Sequence, residues 1–70
     1  MKAERVDIDL LEIGDIVFVN NKHGYCEIMD IGFSFYGGKI ALTFKHTEMH
    51  RGLALFTGLY PFSKTFRLFE

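Results

Sequence analysis

Short apolar runs that alternate with polar residues, each ended by glycine, asparagine or proline, set the rhythm of this chain. Ile16-Val17-Phe18-Val19-Asn20 has the β-branched and aromatic composition of a strand. A period of two puts Ile16 and Phe18 on one face and Val17 and Val19 on the other. Both faces are apolar, which predicts a central position in a sheet. Asn20-Asn21-Lys22-His23-Gly24 carries residues that tolerate turn geometry and is expected to return the chain antiparallel. Tyr25 to Tyr36 is too long for one flat strand, and Gly32 is expected to mark a bulge or bend in it. Tyr36-Gly37-Gly38-Lys39 reads as a hairpin, because paired glycines supply the positive φ angles of a primed turn. Ile40, Leu42 and Phe44 then alternate with Ala41, Thr43 and Lys45, the pattern of a half-buried strand. Thr47 to Gly52 is a polar connection, Leu53 to Tyr60 a strand, Pro61-Phe62-Ser63 a turn, and Thr65 to Phe69 the last strand. Near the start, Val6-Asp7-Ile8-Asp9-Leu10 reads equally as a strand or as a short helical turn.

Turn signals spaced about 8–12 residues apart predict an all-β chain. For 70 residues the natural solution is one domain, residues 1–70, built as a five-stranded antiparallel SH3-like barrel with a short N-terminal strand or turn. Gly14-Asp15-Ile16-Val17-Phe18-Val19 followed by Gly24, Ile28 and Ile31 resembles the opening hairpin of KOW-type and related SH3-like small barrels. The resemblance spans residues 13–31. It implies the barrel fold and, as one functional reading, RNA binding.

A chain this short buries only about 60% of the surface its unfolded form exposes, so it depends on its large side chains. Eight Phe and three Tyr supply them without a disulfide. Ile16, Phe18, Ile28, Ile40, Leu42, Phe44, Leu55, Phe66 and Leu68 are enough to fill a core of this size. Phe33, Phe35, Tyr36, Phe56, Tyr60, Phe62 and Phe69 are then in surplus, and aromatics exposed together form a protein interface or a platform for stacked bases. Cys26 is the single cysteine. One unpaired thiol, no secretory leader and no long apolar run point to a reducing, cytoplasmic setting and away from membranes.

The formal net charge is −1, which does not by itself call for a polyanionic partner. Its distribution is uneven. Residues 1–30 hold three Lys/Arg against seven Asp/Glu, whereas residues 31–70 hold five against two. Lys45, His46, His50 and Arg51 make a local cationic cluster to which Lys39, Lys64 and Arg67 could add, suited to an acidic protein segment or a phosphate.

Two pairs have ligand spacing. His23-x2-Cys26 and His46-x3-His50 would offer four N/S donors to zinc, although the first pair lacks the usual two cysteines and no cofactor is expected. No carboxylate is paired in sequence with an evident nucleophile or base, so no catalytic residue and no enzyme is expected. The leading expectation is a small binding domain that acts as a protein-binding adaptor, regulator or inhibitor, in the manner of small regulatory proteins of bacteria and their phages, with homo-oligomer formation open to it. Its surface would combine Phe33, Phe35, Tyr36, Phe56, Tyr60 and Phe62 with the cationic residues. The alternative is single-stranded nucleic-acid binding, with bases stacked on Phe33, Phe35, Tyr36 or Phe56 beside Lys39, Lys45 and Arg67.

Overall fold

The computed structural model of the chain describes residues 4–34 and 37–69. It is all-β: β1 (Glu4–Asp7), β2 (Ile16–Asn20), β3 (Gly24–Ser34), β4 (Lys39–His46), β5 (Phe56–Tyr60) and β6 (Thr65–Leu68) form one antiparallel sheet in the order β1-β6-β2-β3-β4-β5. Single 3-10 turns lie at Ile8–Leu10 and Met49–Arg51. The N-terminal segment therefore takes both forms that its pattern allows, first strand and then turn. With β1 in place there are six strands rather than five. The sheet is curled but not closed, because β6 pairs with β1 on one edge and with β2 on the other, and β5 ends the sheet.

The turns follow local chemistry. The amide of His23 donates to Asn20 Oδ1 at 2.9 Å, which ties the β2–β3 turn, and Gly37 and Gly38 both have positive φ at the β3–β4 hairpin, as a primed turn requires. The bulge in β3 lies between Ile28 and Asp30, at Met29. Gly32, expected to carry it, instead pairs regularly with Ala41. Met29 projects to solvent, so the extra residue costs no core contact. The fifth strand begins only at Phe56, and Leu53, Ala54 and Leu55 are exposed residues of the preceding loop.

The core is Ile8, Leu11, Val17, Cys26, Ile28, Ile40, Leu42, Phe44 and Phe66, each buried, with no buried polar or charged residue among the described residues. Each large apolar member contributes roughly 1.5–3 kcal/mol by leaving water. Three expected core residues lie elsewhere. Val17, not its neighbours, is the core residue of β2, so Ile16 and Phe18 fall on the outer face, and Leu55 is 55% exposed. Periodicity correctly separates the two faces of β2 but does not say which faces inward.

Phe44 sits at the centre of the core. Its ring lies 5.3 Å from that of Phe56, 6.2 Å from Tyr60 and 6.3 Å from Phe66, and Tyr60 meets Phe66 edge-on at 5.0 Å. These rings join β4, β5 and β6 across the interior where β5 and β6 share no backbone pairing. Gly58 matters to this arrangement: a Cβ there would stand 2.6–2.8 Å from atoms of the Tyr60 ring. Gly58→Ala is expected to displace that ring and cost about 1–3 kcal/mol. For a domain of this size thermal denaturation would show the loss as a melting temperature lower by about 4–8 °C per kcal/mol. Gly32→Ala, with open space around its Cα, is expected to leave the melting temperature unchanged or raise it slightly.

Candidate functional site

Four groupings of side chains are built by this topology, and only part of each follows the sequence expectation. The first lies at the end of the core where the β2–β3 turn meets the end of β4. Cys26 and His46 are cross-strand partners, so His46 points inward beside the His23 ring from the turn. His23 Nδ1 and His46 Nε2 are 2.8 Å apart. Phe56 completes a stack, with its ring 4.1 Å from His23 at 19° and 5.0 Å from His46. The Cys26 thiol donates weakly to the carbonyls of His23 and Gly24, at 3.6 and 3.8 Å. His50 is not part of this group. It is exposed on the Met49–Arg51 turn, with Nε2 3.2 Å from Glu48 Oε2. Among the described residues no group of three or more His, Cys, Asp or Glu is placed to hold a metal ion.

One proton must lie between His23 and His46, since a hydrogen bond between two imidazoles needs one N–H and one lone pair. Burial, then the neighbouring His46, Lys22 and Arg51, lower the pKa of His23 from the ordinary 6.5. Among the described residues, His46 Nδ1 is buried with no hydrogen-bond partner. The pair is thus a polar end to the aromatic core. Burial also raises the Cys26 pKa and keeps it a thiol, a poor nucleophile and a poor ligand in that form.

The second grouping is the loop around the Met49–Arg51 turn. The expected cationic cluster is divided here. Lys45 projects from the outer face opposite Glu27, and His46 points inward. Glu48 accepts from Arg51 Nε at 3.1 Å and lies beside His50, while the Arg51 guanidinium also donates to the Lys22 carbonyl. Arg51 thereby fastens this loop to the β2–β3 turn. Met49 (80% exposed) and Leu53 (74%) project from the same loop.

The third is at the β3–β4 tip, where the exposed rings of Phe33 and Phe62 stack at 6.4 Å near the exposed Lys39. Phe35 and Tyr36 lie outside the described residues. Phe56 and Tyr60, expected as surface aromatics, are half-buried and packed on the core. Of the stacking surface expected of Phe33, Phe35, Tyr36 and Phe56, the described residues leave Phe33 exposed and turn Phe56 inward.

The fourth was missed by sequence reasoning. On the outer face, Phe18 pairs across strands with both Tyr25 and Arg67. Phe18 and Tyr25 meet edge-on at 5.4 Å, Tyr25 and Phe69 at 5.1 Å, and the Arg67 guanidinium lies 4.9 Å from the Phe18 ring centre. Beside them is an open cleft of about 200 Å³ lined by Arg5, Lys64, Arg67 and Phe18. A second, of about 290 Å³, is lined by Ile16, Tyr25, Thr47, Glu48 and Phe69. The signal for Phe18 and Tyr25 lay in their placement on either side of the Asn20–Gly24 turn, which makes them neighbours whichever face they occupy. Arg5 came from a segment whose pairing the pattern left open.

No protein-family model, curated protein or solved structure matches this chain.

The histidine pair gives a pH dependence. His23 has a lower pKa folded than unfolded, so the unfolded chain binds more protons as the pH falls through 6.5 and below. Stability is fully present above that pH and declines beneath it. Chemical denaturation between about pH 7.5 and 5.5 should show this decline, and NMR should show His23 titrating below the ordinary histidine range. A His23 titration at or above 6.5 would contradict the geometry.

Proposed function

We propose that this chain is a small non-enzymatic binding domain that acts on a larger protein partner, as an adaptor, regulator or inhibitor, by taking an extended segment of it onto β5. The observation that carries this is the difference between the two edges of the sheet. The β1 edge, Glu4-Arg5-Val6-Asp7, has three charged residues in four, the usual device that keeps an edge strand from pairing further. The β5 edge, Phe56-Thr57-Gly58-Leu59-Tyr60, has none. Its unpaired backbone groups can hydrogen-bond an added strand, and alternate side chains then set specificity. Leu59 (56% exposed) lies on the strand itself, with Leu55 and Leu53 in the loop just before it. A partner segment that is extended, apolar and uncharged fits this edge.

The finer fold assignment belongs with this reading. The meander β2-β3-β4-β5, with β6 returning to pair with β2, supports an SH3-like small barrel to which β1 has been added. The two open clefts support a binding role over catalysis. Neither is lined by a nucleophile beside a base, and the Thr47 hydroxyl at the rim of the larger one donates to the Tyr25 carbonyl at 2.8 Å.

Site-specific photo-crosslinking in a lysate of the source cell, from position 59 on β5 and from position 5 on β1, tests the proposal. One defined protein captured from position 59, absent from position 5 and lost in Leu53→Asp, is the expected result. Light scattering of the purified chain should give a monomer, and Leu59→Lys should leave its melting temperature within about 0.5 kcal/mol equivalent, as for other exposed substitutions. Capture only of a second copy of the chain would replace a foreign partner with self-pairing. Equal capture from both edges would overturn the assignment to β5.

A further inference from the structure

We infer that the outer face of β6, β2 and β3 is a binding surface for single-stranded nucleic acid, distinct from the β5 edge. The argument starts from the two clefts and what lies between them. At one side Arg5, Lys64 and Arg67 line a single open cleft, with Lys64 Nζ 5.4 Å from the centre of the Phe66 ring. Arg5 and Arg67 stand directly opposite each other across β1 and β6, a like-charge pairing that costs stability unless an anion is supplied. Among the described residues no carboxylate oxygen lies within 4 Å of any of the three cations. Arg5 bonds instead to the hydroxyl of Thr65, at 3.4 Å. The nearest acidic position of β1 on the same face is Asp7, opposite Thr65.

At the other side, Ile16, Tyr25 and Phe69 line an apolar cleft of about 290 Å³ with Thr47 and Glu48 at its rim. That is room for a flat heteroaromatic ring, and the Glu48 carboxylate can accept from an exocyclic amine. Phe69 is 49% exposed, and an apolar ring left in water on a small domain marks a contact surface. Phe18 and Tyr25 connect the two clefts edge to face, and Arg67, lying over Phe18, presents a planar guanidinium on the same surface. Bases stack on aromatic rings and on guanidinium planes, and phosphates are met by Arg and Lys. An anion cleft and an aromatic cleft joined along one strand pair match a repeating unit of base and phosphate. Glu27, opposite Ile16, bounds the face on its far side and keeps the anionic backbone on the β6 side. Duplex nucleic acid hides its bases, so the surface selects single strands.

Fluorescence anisotropy with labelled oligodeoxycytidylate and oligocytidylate of about 12 nucleotides, whose bases carry the exocyclic amine and which lie within the span of small single-strand binding modules, tests this. Binding should weaken with salt at a log–log slope near −2, from three phosphate contacts at about −0.7 each. Arg67→Gln and Lys64→Ala should each weaken binding about tenfold and make the slope shallower by a fraction of a unit. Tyr25→Leu, which keeps an apolar side chain but removes the ring, should weaken binding about tenfold and leave the slope unchanged. Lys39→Ala, at the distant hairpin tip, should have no effect. Circular dichroism melts establish that each variant is folded, and Lys64→Ala keeps the test valid if Arg67→Gln or Tyr25→Leu is not. Absence of binding at low salt, equal affinity for a duplex of the same sequence, equal affinity for a poly-glutamate peptide, or an equal loss in Lys39→Ala would each overturn the inference.

Discussion

The ring of Phe44 is the contact on which the rest of this structure depends. It lies at the middle of β4, fully buried, and meets Phe56 and Tyr60 from β5 and Phe66 from β6. A six-stranded sheet with one apolar face must bury that face on itself when no second layer exists, and these rings are what allow it to curl. Aromatic pairs of this kind add about 0.5–1.5 kcal/mol beyond their buried area. The curl brings β5 to β6 through side chains alone. Phe56 then extends the same aromatic chain outward to His23 and His46, so the polar end of the core is held by the stack that holds its centre.

β1 decides what becomes of the seam. Because β1 occupies the edge of β6 that faces away from β2, no backbone groups of β6 remain for β5. The sheet is left open, and the edge that stays free is the one without charge. The same pairing places Arg5 beside Arg67 and so builds the cationic cleft of the outer face. One short strand thus creates both surfaces proposed to bind: an edge for protein and a face for single-stranded nucleic acid. The two are compatible, since one uses backbone groups at the end of the sheet and the other uses side chains on the face of its central strands.

Much of the fold was legible. Gly37-Gly38 and Asn20 to Gly24 fix their turns through backbone conformation, which is a local property, and the two-sided apolar character of β2 correctly placed it inside the sheet. What periodicity could not supply was sign. In a strand such as Ile16-Val17-Phe18-Val19 both faces are equally apolar, and the choice of Val17 for the core depends on space left by Phe44 and Phe66 from distant segments. Phe18 was therefore assigned to the core, and the surface it forms with Tyr25, Phe69 and Arg67 went unseen. The opposite error placed Phe56 outside. The bulge was expected at Gly32 and lies at Met29, since a bulge needs an unpaired position facing water more than it needs glycine. His23 and His46 were picked out by spacing, but their partner is each other and an aromatic ring, whereas His50 follows its own exposed turn to Glu48.

Amide hydrogen exchange of the monomer, followed residue by residue by NMR, tests the central claim that β5 is the open edge and β6 is paired on both sides. Along Phe56 to Tyr60 protection should alternate, with amides that point to β4 slow and those that point outward fast, while Arg67 and Leu68, flanked by β1 and β2, are slow throughout. Uniform protection along β5 together with fast exchange at β6 would mean that the barrel closes or that β1 does not hold its place, and would contradict the account.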